Sequence, residues 1–257
     1  WVITPAGKVL FDIKTGTFTR YTPNNGHAQG LEHYSFNYDM PPLIDQSGTL
    51  YVPTLDMGLL RLNKQKSNYT FLKDDPGNDK GYNGGAVWKI TQGSDGVYWI
   101  ATQNGIIKWD RKANAFENIP TKNDTHPTWN VVLDKKNRVW YTFMGGGLNC
   151  YDPATGVVKT YRHDPNNKKS IPGHGALALL CDSKDRIWLG TYGSGLCRLD
   201  EATNSFIRYP YVTKEGKDRI KTDKLDDGNV VSLNEDSKGN IWVGTNYGGL
   251  NMLNEKT

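Results

Sequence analysis

Short runs of apolar residues, several of them alternating with polar ones, follow one another along the chain and predict β-strands throughout. Between Asp182 and Tyr209, RIWLGT has the apolar and aromatic character of a buried strand, whereas GLCRLD and SFIRYP alternate. The segments between these runs, Ser-Lys-Asp and Glu-Ala-Thr-Asn, consist mainly of turn-forming residues. No repeated unit shows a 3.6-residue apolar period, which argues against stacked helix pairs.

The same pattern recurs along the whole sequence. The aromatic residue of the second strand returns at spacings of 41 to 54 residues, at Trp1, Tyr51, Trp99, Trp140, Trp188 and Trp242. A moderately apolar strand precedes it, as in GALALLCD and NVVSLNED, and two alternating strands follow. Four antiparallel strands recurring every 40 or so residues are typical of a β-propeller blade. The sequence therefore predicts an all-β propeller of four-stranded blades.

Two turns in each unit carry residues that tolerate a left-handed backbone. In the turn before the aromatic strand these residues are Gly48, Gly96, Asn137, Asp185 and Gly239. In the later turn they are Gly16, Ser67, Asn114, Gly156 and Asn204. Each position predicts a hairpin.

The repeats divide the chain into six parts, at residues 1–40, 41–87, 88–129, 130–175, 176–229 and 230–257. The first part begins with the second strand of a unit and the last ends with the third. This gives 22 predicted strands, or about five and a half blades. We therefore expect one propeller segment, truncated at both ends, from a seven-bladed ring whose exposed sheet edges the remaining blades would cover.

The recurring aromatic residues and the leucine that follows each glycine are predicted to pack between neighbouring blades. The aromatic set is Trp1, Tyr51, Trp99, Trp140, Trp188 and Trp242, and the second set is Leu59, Ile106, Leu148, Leu196 and Leu250. Burial of each such side chain stabilises a fold by about 1.5–3 kcal/mol.

The motif DSKGNIWVGTNYGGLN, from Asp236 to Asn251, resembles the two-component regulator propeller repeat, as do DSKDRIWLGTYGSGLC and the connecting segment YRHDPNNKKSIPGHGALALLCD. The first three copies are weaker, since VIT, VPT and IAT replace VGT and Gly93 replaces the aspartate. The resemblance implies a non-catalytic, periplasmic sensing region of a bacterial histidine kinase or hybrid two-component regulator that detects oligosaccharides from polysaccharide breakdown. It implies as partners the remaining blades and downstream domains of the parent chain, with a possible homodimer through that parent. The motif describes blade structure, so it transfers no binding residue.

Charge, cysteine content and apolar content narrow the range of possible functions further. The net charge is +4, with basic and acidic residues interspersed, so no nucleic-acid surface is expected. Cys150, Cys181 and Cys197 are odd in number and form no CxxC motif, and they are interpreted as buried thiols that act as small apolar residues. The longest apolar stretch, Ala176 to Cys181, is too short to span a bilayer.

Ligand binding is predicted on the face that carries the long connections, because long loops on a rigid scaffold commonly carry function. Aromatic side chains beside amides and charges suit sugar recognition. The candidate binding residues are His33, Tyr34, Tyr82, His126, Arg162, His174, Tyr192 and Tyr247. In the alternative interpretation, Tyr34 and Trp129 only pack the bases of loops.

The sequence gives no positive sign of catalysis, a metal or a cofactor. The five histidines lie in loops and form neither HxH nor HExxH. Asp45, Asp134, Asp182 and Asp236 recur with the repeat, which favours a structural role at a strand end over one active site. An extracellular carbohydrate-active propeller enzyme, a lyase or hydrolase, remains the alternative, since paired carboxylates could come from separate blades. A protein-docking propeller is a third hypothesis.

Overall fold

The computed structural model describes all residues except 1, 5–6, 13–16, 22–42, 48, 54–58, 64–65, 73–74, 76, 79–80, 120–126, 144, 174, 210, 212–223 and 254–257. For the strand residues 2–21, 50, 52, 60–63 and 66–71 the backbone alone is described. Over the described residues the secondary structure is entirely β, as the alternating pattern predicts.

Twenty-two described strands form six antiparallel sheets. The first sheet has β1 (Val2–Thr4), β2 (Gly7–Asp12) and β3 (Thr17–Tyr21). The second has β4 (Leu43–Ile44), β5 (Leu50–Pro53), β6 (Leu59–Asn63) and β7 (Lys66–Leu72), and the third has β8 (Val87–Gln92), β9 (Tyr98–Thr102), β10 (Gly105–Asp110) and β11 (Ala115–Ile119). The fourth has β12 (Thr128–Leu133), β13 (Val139–Phe143), β14 (Gly147–Asp152) and β15 (Val157–Tyr161), and the fifth has β16 (Ala176–Cys181), β17 (Ile187–Thr191), β18 (Leu196–Asp200) and β19 (Ser205–Tyr209). The sixth has β20 (Val230–Glu235), β21 (Ile241–Thr245) and β22 (Leu250–Leu253).

Within every sheet the strands pair in chain order, so each sheet is a meander of hairpins. This confirms the predicted all-β class and the four-stranded antiparallel unit, with three strands at each end of the chain. The sheets group into two compact units, residues 1–120 and residues 121–257.

Apolar side chains fill the space between successive sheets in each unit. In the first unit, Tyr51 and Leu59 of the second sheet pack with Tyr98 and Trp109 of the third. In the second unit, one cluster joins the fourth and fifth sheets through residues such as Trp140 and Leu189. A second cluster joins the fifth and sixth sheets.

Most of the recurring aromatic residues that the structure describes are buried. Tyr51, Trp140 and Trp188 are 0% exposed and Trp99 is 3% exposed, whereas Trp242 is only half-buried. Trp1 lies outside the described residues.

Burial at the leucine position follows the same pattern. Leu59, Ile106, Leu148 and Leu196 are at most 1% exposed, but Leu250 is 67% exposed. The expected packing of Leu250 between blades requires a further sheet and stays a prediction. Its side chain lies on the sixth sheet, after which the described part of the second unit has no further sheet.

The turns adopt the predicted backbone. Among the described turn residues, Gly96, Asn137, Asp185 and Gly239 in the first turn, and Asn114, Gly156 and Asn204 in the second, all have φ between 51° and 82°. Gly48 and Gly16 lie outside the described residues. Ser67 differs, because it lies within β7 and not in the turn: Asn63 pairs with Lys66, so only two residues connect these strands.

A buried aspartate at the end of the first strand organises each regular repeat. In the fifth repeat, Asp182 Oδ1 accepts the backbone N–H groups of Lys184 (3.0 Å) and Arg186 (2.9 Å). Its Oδ2 accepts the Arg186 Nε–H (2.6 Å) and the Trp188 indole N–H (2.8 Å). One carboxylate therefore shapes the turn, holds a guanidinium and satisfies the buried indole.

The other recurring aspartates repeat this geometry. Asp134 and Asp236 accept the indole N–H of Trp140 at 2.9 Å and of Trp242 at 3.0 Å. Asp45 accepts the hydroxyl of Tyr98 at 2.8 Å instead. The second repeat carries Tyr51, not tryptophan, at the aromatic position, and the third repeat provides the second tyrosine, Tyr98. These contacts agree with the structural role that the sequence period indicates.

Hydrogen bonding lowers the pKa of the Asp45 and Asp182 carboxyl groups despite their burial. Burial by itself raises the pKa of Asp45, but hydrogen bonds from Ser47, Thr49 and Tyr98 outweigh it and lower the pKa to about 2. Burial likewise opposes the hydrogen bonds from Trp188 and Arg186 that lower the pKa of Asp182.

The cysteines behave as apolar residues. Cys150 and Cys197 are buried, and all three cysteines are free thiols. Burial raises the pKa of the Cys150 and Cys181 thiols to about 12, so both stay protonated near neutral pH.

Replacement of Trp188 by alanine should remove about 3–5 kcal/mol from the free energy of unfolding of the second unit, because the side chain is wholly buried. The matched variant Trp242→Ala should lose less, because its indole is only half-buried. Urea unfolding followed by circular dichroism measures both. Equal losses would show that burial between sheets does not govern stability.

The depressed pKa of Asp45 predicts an acid-sensitive contribution to stability. The unfolded chain binds this proton at about pH 3.8 and the folded chain at about pH 2. The contribution is therefore complete above about pH 4 and is lost as the pH falls towards 2. In urea midpoints between pH 2 and 5, the gap between wild type and Asp45→Asn should narrow on acidification. Glu117→Gln, at a carboxylate whose side chain is 60% exposed, is the control and should show a smaller change.

Candidate functional site

A depression of about 560 Å³ lies at the junction of the fourth and fifth sheets. Three parts of the second unit form it: the first strands of the two sheets, the 162–175 connection between the sheets, and the turn between β17 and β18. The lining residues are Trp129, Leu177, His163, Pro172, Gly173, Gly175, Tyr192 and Ser194.

The first strands form the floor of the depression. Asn130 Nδ2 donates to the Leu177 carbonyl at 2.6 Å, which ties β12 to β16. Both strands change register at this end, between Thr128 and Asn130 and between Ala176 and Ala178. Such β-bulges redirect side chains, and here the residues inside the bulges, Trp129 and Leu177, line the depression.

The 162–175 connection forms a firm wall. The His163 Nδ1–H donates to the Ile171 carbonyl at 2.7 Å, and the two residues form a parallel bridge. The Ser170 hydroxyl accepts the Asp164 N–H at 3.0 Å. These bonds close the connection on itself.

The connection is also attached to the next sheet. The Phe206 N–H donates to the Lys169 carbonyl at 2.7 Å, and Arg208 Nη2 donates to the Ser170 carbonyl at 2.8 Å. Both donors lie on β19. A long loop that is held both by the bridge between His163 and Ile171 and by its contacts with β19 provides a preformed wall for a ligand.

Tyr192 forms the rim of the depression. Its side chain is 64% exposed, while its backbone N–H donates to the Gly175 carbonyl at 2.8 Å. The turn passes very close to the wall, since a Cβ at Gly173 would lie 2.6 Å from the Ser194 hydroxyl. Tyr192 and the half-buried Trp129 therefore present aromatic surface around a polar edge, a combination that suits amphipathic ligands such as sugars.

The next junction is built on the same plan but is filled differently. Tyr211 takes the place of His163 and bridges Leu225 in parallel. Its hydroxyl donates to the Gly193 carbonyl at 2.8 Å, and its ring lies against Gly228, where a Cβ would come within 2.7 Å. The two residues thus make different contacts: His163 bonds within its own connection, whereas Tyr211 bonds to the turn between β17 and β18 and packs on Gly228.

The structure places the candidate binding residues in different settings. Tyr192 lines the depression. Tyr247 occupies the equivalent turn of the sixth repeat and is 76% exposed, and Arg162 is exposed beside His163. The candidates His33, Tyr34, His126 and His174 lie outside the described residues.

Tyr82 has a supporting position. It is 2% exposed, its hydroxyl donates to the Gly85 carbonyl at 2.7 Å, and its ring meets Phe116 edge-on with centroids 5.9 Å apart. The ring thus packs the base of its loop and presents almost no surface to a ligand.

Sequence reasoning placed His163 in a long loop of the predicted binding face, named Trp129 only in the alternative interpretation as a packing residue, and did not single out Leu177 or Pro172. The alignment of Trp129 with Leu177 at the start of successive first strands is the signal that could have found this pair. Within the described part of the chain, no group of three or more His, Cys, Asp or Glu side chains could hold a metal ion.

The two component regulator propeller family matches the chain at residues 224–247. This confirms the resemblance of the sixth repeat to that family. No curated protein matches the chain.

Solved structures share the fold. The extracellular domain of the putative one component system BT4673 from B. thetaiotaomicron is 19% identical, with a TM-score of 0.72 over 97% of this chain and 30% of that chain. The extracellular domain of the putative hybrid two component system BT3049 from the same organism is 19% identical, with a TM-score of 0.68 over 97% of this chain and 37% of that chain. This chain thus spans about a third of those domains.

Virginiamycin B lyase from Staphylococcus aureus is similar to this chain as well. It is 15% identical, with a TM-score of 0.58 over 87% of this chain and 73% of that chain. At these identities the likenesses establish the fold alone, and sensing and lyase proteins both use it.

Replacement of His163 by alanine should loosen the wall of the depression. The loss of one hydrogen bond, worth about 0.5–1.5 kcal/mol, should raise amide exchange two- to tenfold within 163–173. Hydrogen–deuterium exchange with peptide resolution measures this change, and Arg162→Ala, at the exposed neighbour, is the control. Unchanged exchange in the His163 variant would mean that the imidazole hydrogen bond to Ile171 does not hold the connection.

Proposed function

We propose that the chain is a non-catalytic, ligand-binding propeller segment of a bacterial two-component sensor, and that it binds an oligosaccharide released from a polysaccharide. The depression lined by Trp129, His163 and Tyr192 is the proposed site. The observation that carries the proposal is the exposed aromatic rim of a preformed depression in a chain with a two component regulator propeller repeat.

The chemistry of the depression supports a sugar as the ligand. Pyranose rings have an apolar face that packs on aromatic side chains and hydroxyls that need hydrogen-bond partners. Trp129 and Tyr192 supply the aromatic surfaces, while the His163 imidazole and the Ser194 hydroxyl supply polar groups. Because the wall is already ordered by its own hydrogen bonds, binding would require little ordering of the protein.

The proposed setting is the periplasm, on the extracytoplasmic side of an inner-membrane sensor with a histidine kinase. The similarity to extracellular domains of putative one and two component systems supports this setting. The proposed partners are further blades and downstream domains of the parent chain, with homodimerisation through that parent. In the described part of the chain, no helix has the length and apolar character needed to cross a membrane.

Calorimetric titration of the 257-residue chain with a panel of glycan fragments tests the proposal. At least one saccharide should bind at millimolar concentration or below. Tyr192→Ala should weaken that binding roughly five- to tenfold, because loss of an aromatic contact costs about 1–1.4 kcal/mol.

Tyr247→Ala is the matched control, since Tyr247 is an exposed tyrosine in the same turn of the next repeat. Weakening by this variant alone would move the site to the sixth repeat. Absence of binding across the panel would exclude carbohydrate as the ligand class. Cleavage of a saccharide during titration would favour the carbohydrate-active enzyme, the alternative that the sequence leaves open.

A further inference from the structure

The turn between β17 and β18 carries two of the residues that line the depression, Tyr192 and Ser194. The two glycines of this turn, Gly193 and Gly195, have a left-handed backbone, with φ of 74° and 77°. The N–H and the hydroxyl of Thr191 both donate to the Gly195 carbonyl, at 3.0 and 2.8 Å. These bonds close the base of the turn, and contacts with neighbouring segments hold the rest of it.

The first of these contacts joins the turn to the wall of the depression. The Tyr192 N–H donates to the Gly175 carbonyl at 2.8 Å. The two residues lie so close that a Cβ at Gly175 would be 3.0 Å from the Cβ of Tyr192. The 162–175 connection therefore fixes the beginning of the turn.

A second set of contacts joins the turn to Tyr211, which lies two residues after β19 and is not among the residues that line the depression. The Tyr211 hydroxyl donates to the Gly193 carbonyl at 2.8 Å. Its ring lies so close to the turn that a Cβ at Gly195 would come within 2.9 Å of it. The Gly195 N–H donates to the carbonyl of Gly228, on which the Tyr211 ring packs, at 2.8 Å. Tyr211 and Gly228 together therefore hold the end of the turn.

The contact with Tyr211 is a feature of the fifth repeat and not of the repeated unit. In the sequence, the position two residues after the last strand of a unit carries tyrosine only in the fifth repeat, and the others have Pro23, Asp74, Thr121 and His163. His163 donates to the Ile171 carbonyl of its own connection. The tyrosine thus occurs in the repeat whose turn forms the rim of the depression.

We propose that Tyr211 is a positioning residue for the depression: its hydroxyl and ring hold the turn so that Tyr192 and Ser194 are in place to contact a saccharide. This inference rests on the proposed function, because it concerns binding in the same depression. The coupling is reciprocal, since a change that alters the affinity for a ligand is itself favoured or opposed by that ligand to the same extent. A saccharide held by Tyr192 should therefore stabilise the hydrogen bond between Gly195 and Gly228, which lies outside the depression.

Amide exchange measured by nuclear magnetic resonance on the full 257-residue chain tests the positioning without a ligand. Tyr211→Phe keeps the ring and removes the hydroxyl, so exchange of the Tyr192 and Gly195 N–H groups should rise roughly two- to fivefold. Tyr161→Phe is the matched control, because it removes a buried tyrosine hydroxyl that has no hydrogen-bond partner among the described residues. This control should leave both exchange rates unchanged. Unchanged rates in the Tyr211 variant would overturn the inference.

Titration with the tightest-binding saccharide of the glycan panel extends the test to binding. Tyr211→Phe should weaken its binding roughly two- to fivefold, Tyr161→Phe should not, and the saccharide should slow exchange of the Gly195 N–H in the wild type. If Tyr192→Ala weakens binding and Tyr211→Phe does not, the inference is overturned while the proposed function stands. If no saccharide of the panel binds, the proposed function fails, and the amide exchange alone decides whether Tyr211 positions the turn.

Discussion

In the regular repeats, the carboxylate at the end of the first strand is the contact on which the rest of the repeat depends. Burying a tryptophan between sheets costs less free energy when its indole N–H has a partner, because an unsatisfied buried donor is destabilising. Asp182 is that partner for Trp188, and the same carboxylate accepts two N–H groups of the turn. Turn geometry, strand position and packing between sheets are thus coupled through one side chain.

The coupling also explains how the repeat tolerates variation. In the second repeat, tyrosine replaces tryptophan, and Asp45 then accepts hydroxyl and guanidinium donors from the third sheet. The third repeat has Gly93 instead of the aspartate, and there Asp95 accepts the Val97 N–H of the turn at 3.0 Å. The donors and acceptors change, but the hairpin remains. A scaffold with this property can vary at single positions without loss of the sheet.

Function on such a scaffold depends on what the repeats do not share. Successive junctions each have a parallel bridge after the fourth strand, yet His163 at one and Tyr211 at the next make different contacts. The 162–175 connection is long enough to form its own hydrogen bonds and to attach to β19. The regular part of the fold therefore provides rigidity, and the connections provide a surface that can distinguish ligands.

The sequence by itself determined the strands, their order and the left-handed turn residues, because these depend on local backbone preferences and on a period of two. It also indicated the structural role of the recurring aspartates. The tertiary structure alone decided which side chains meet across sheets: that Glu201 reaches Arg138, that Tyr82 turns inwards, that Leu250 is exposed, and that Trp129, His163 and Tyr192 share one depression. Such contacts join residues tens of positions apart. They depend on how one sheet lies against the next, and no local pattern of apolar and polar residues encodes that placement.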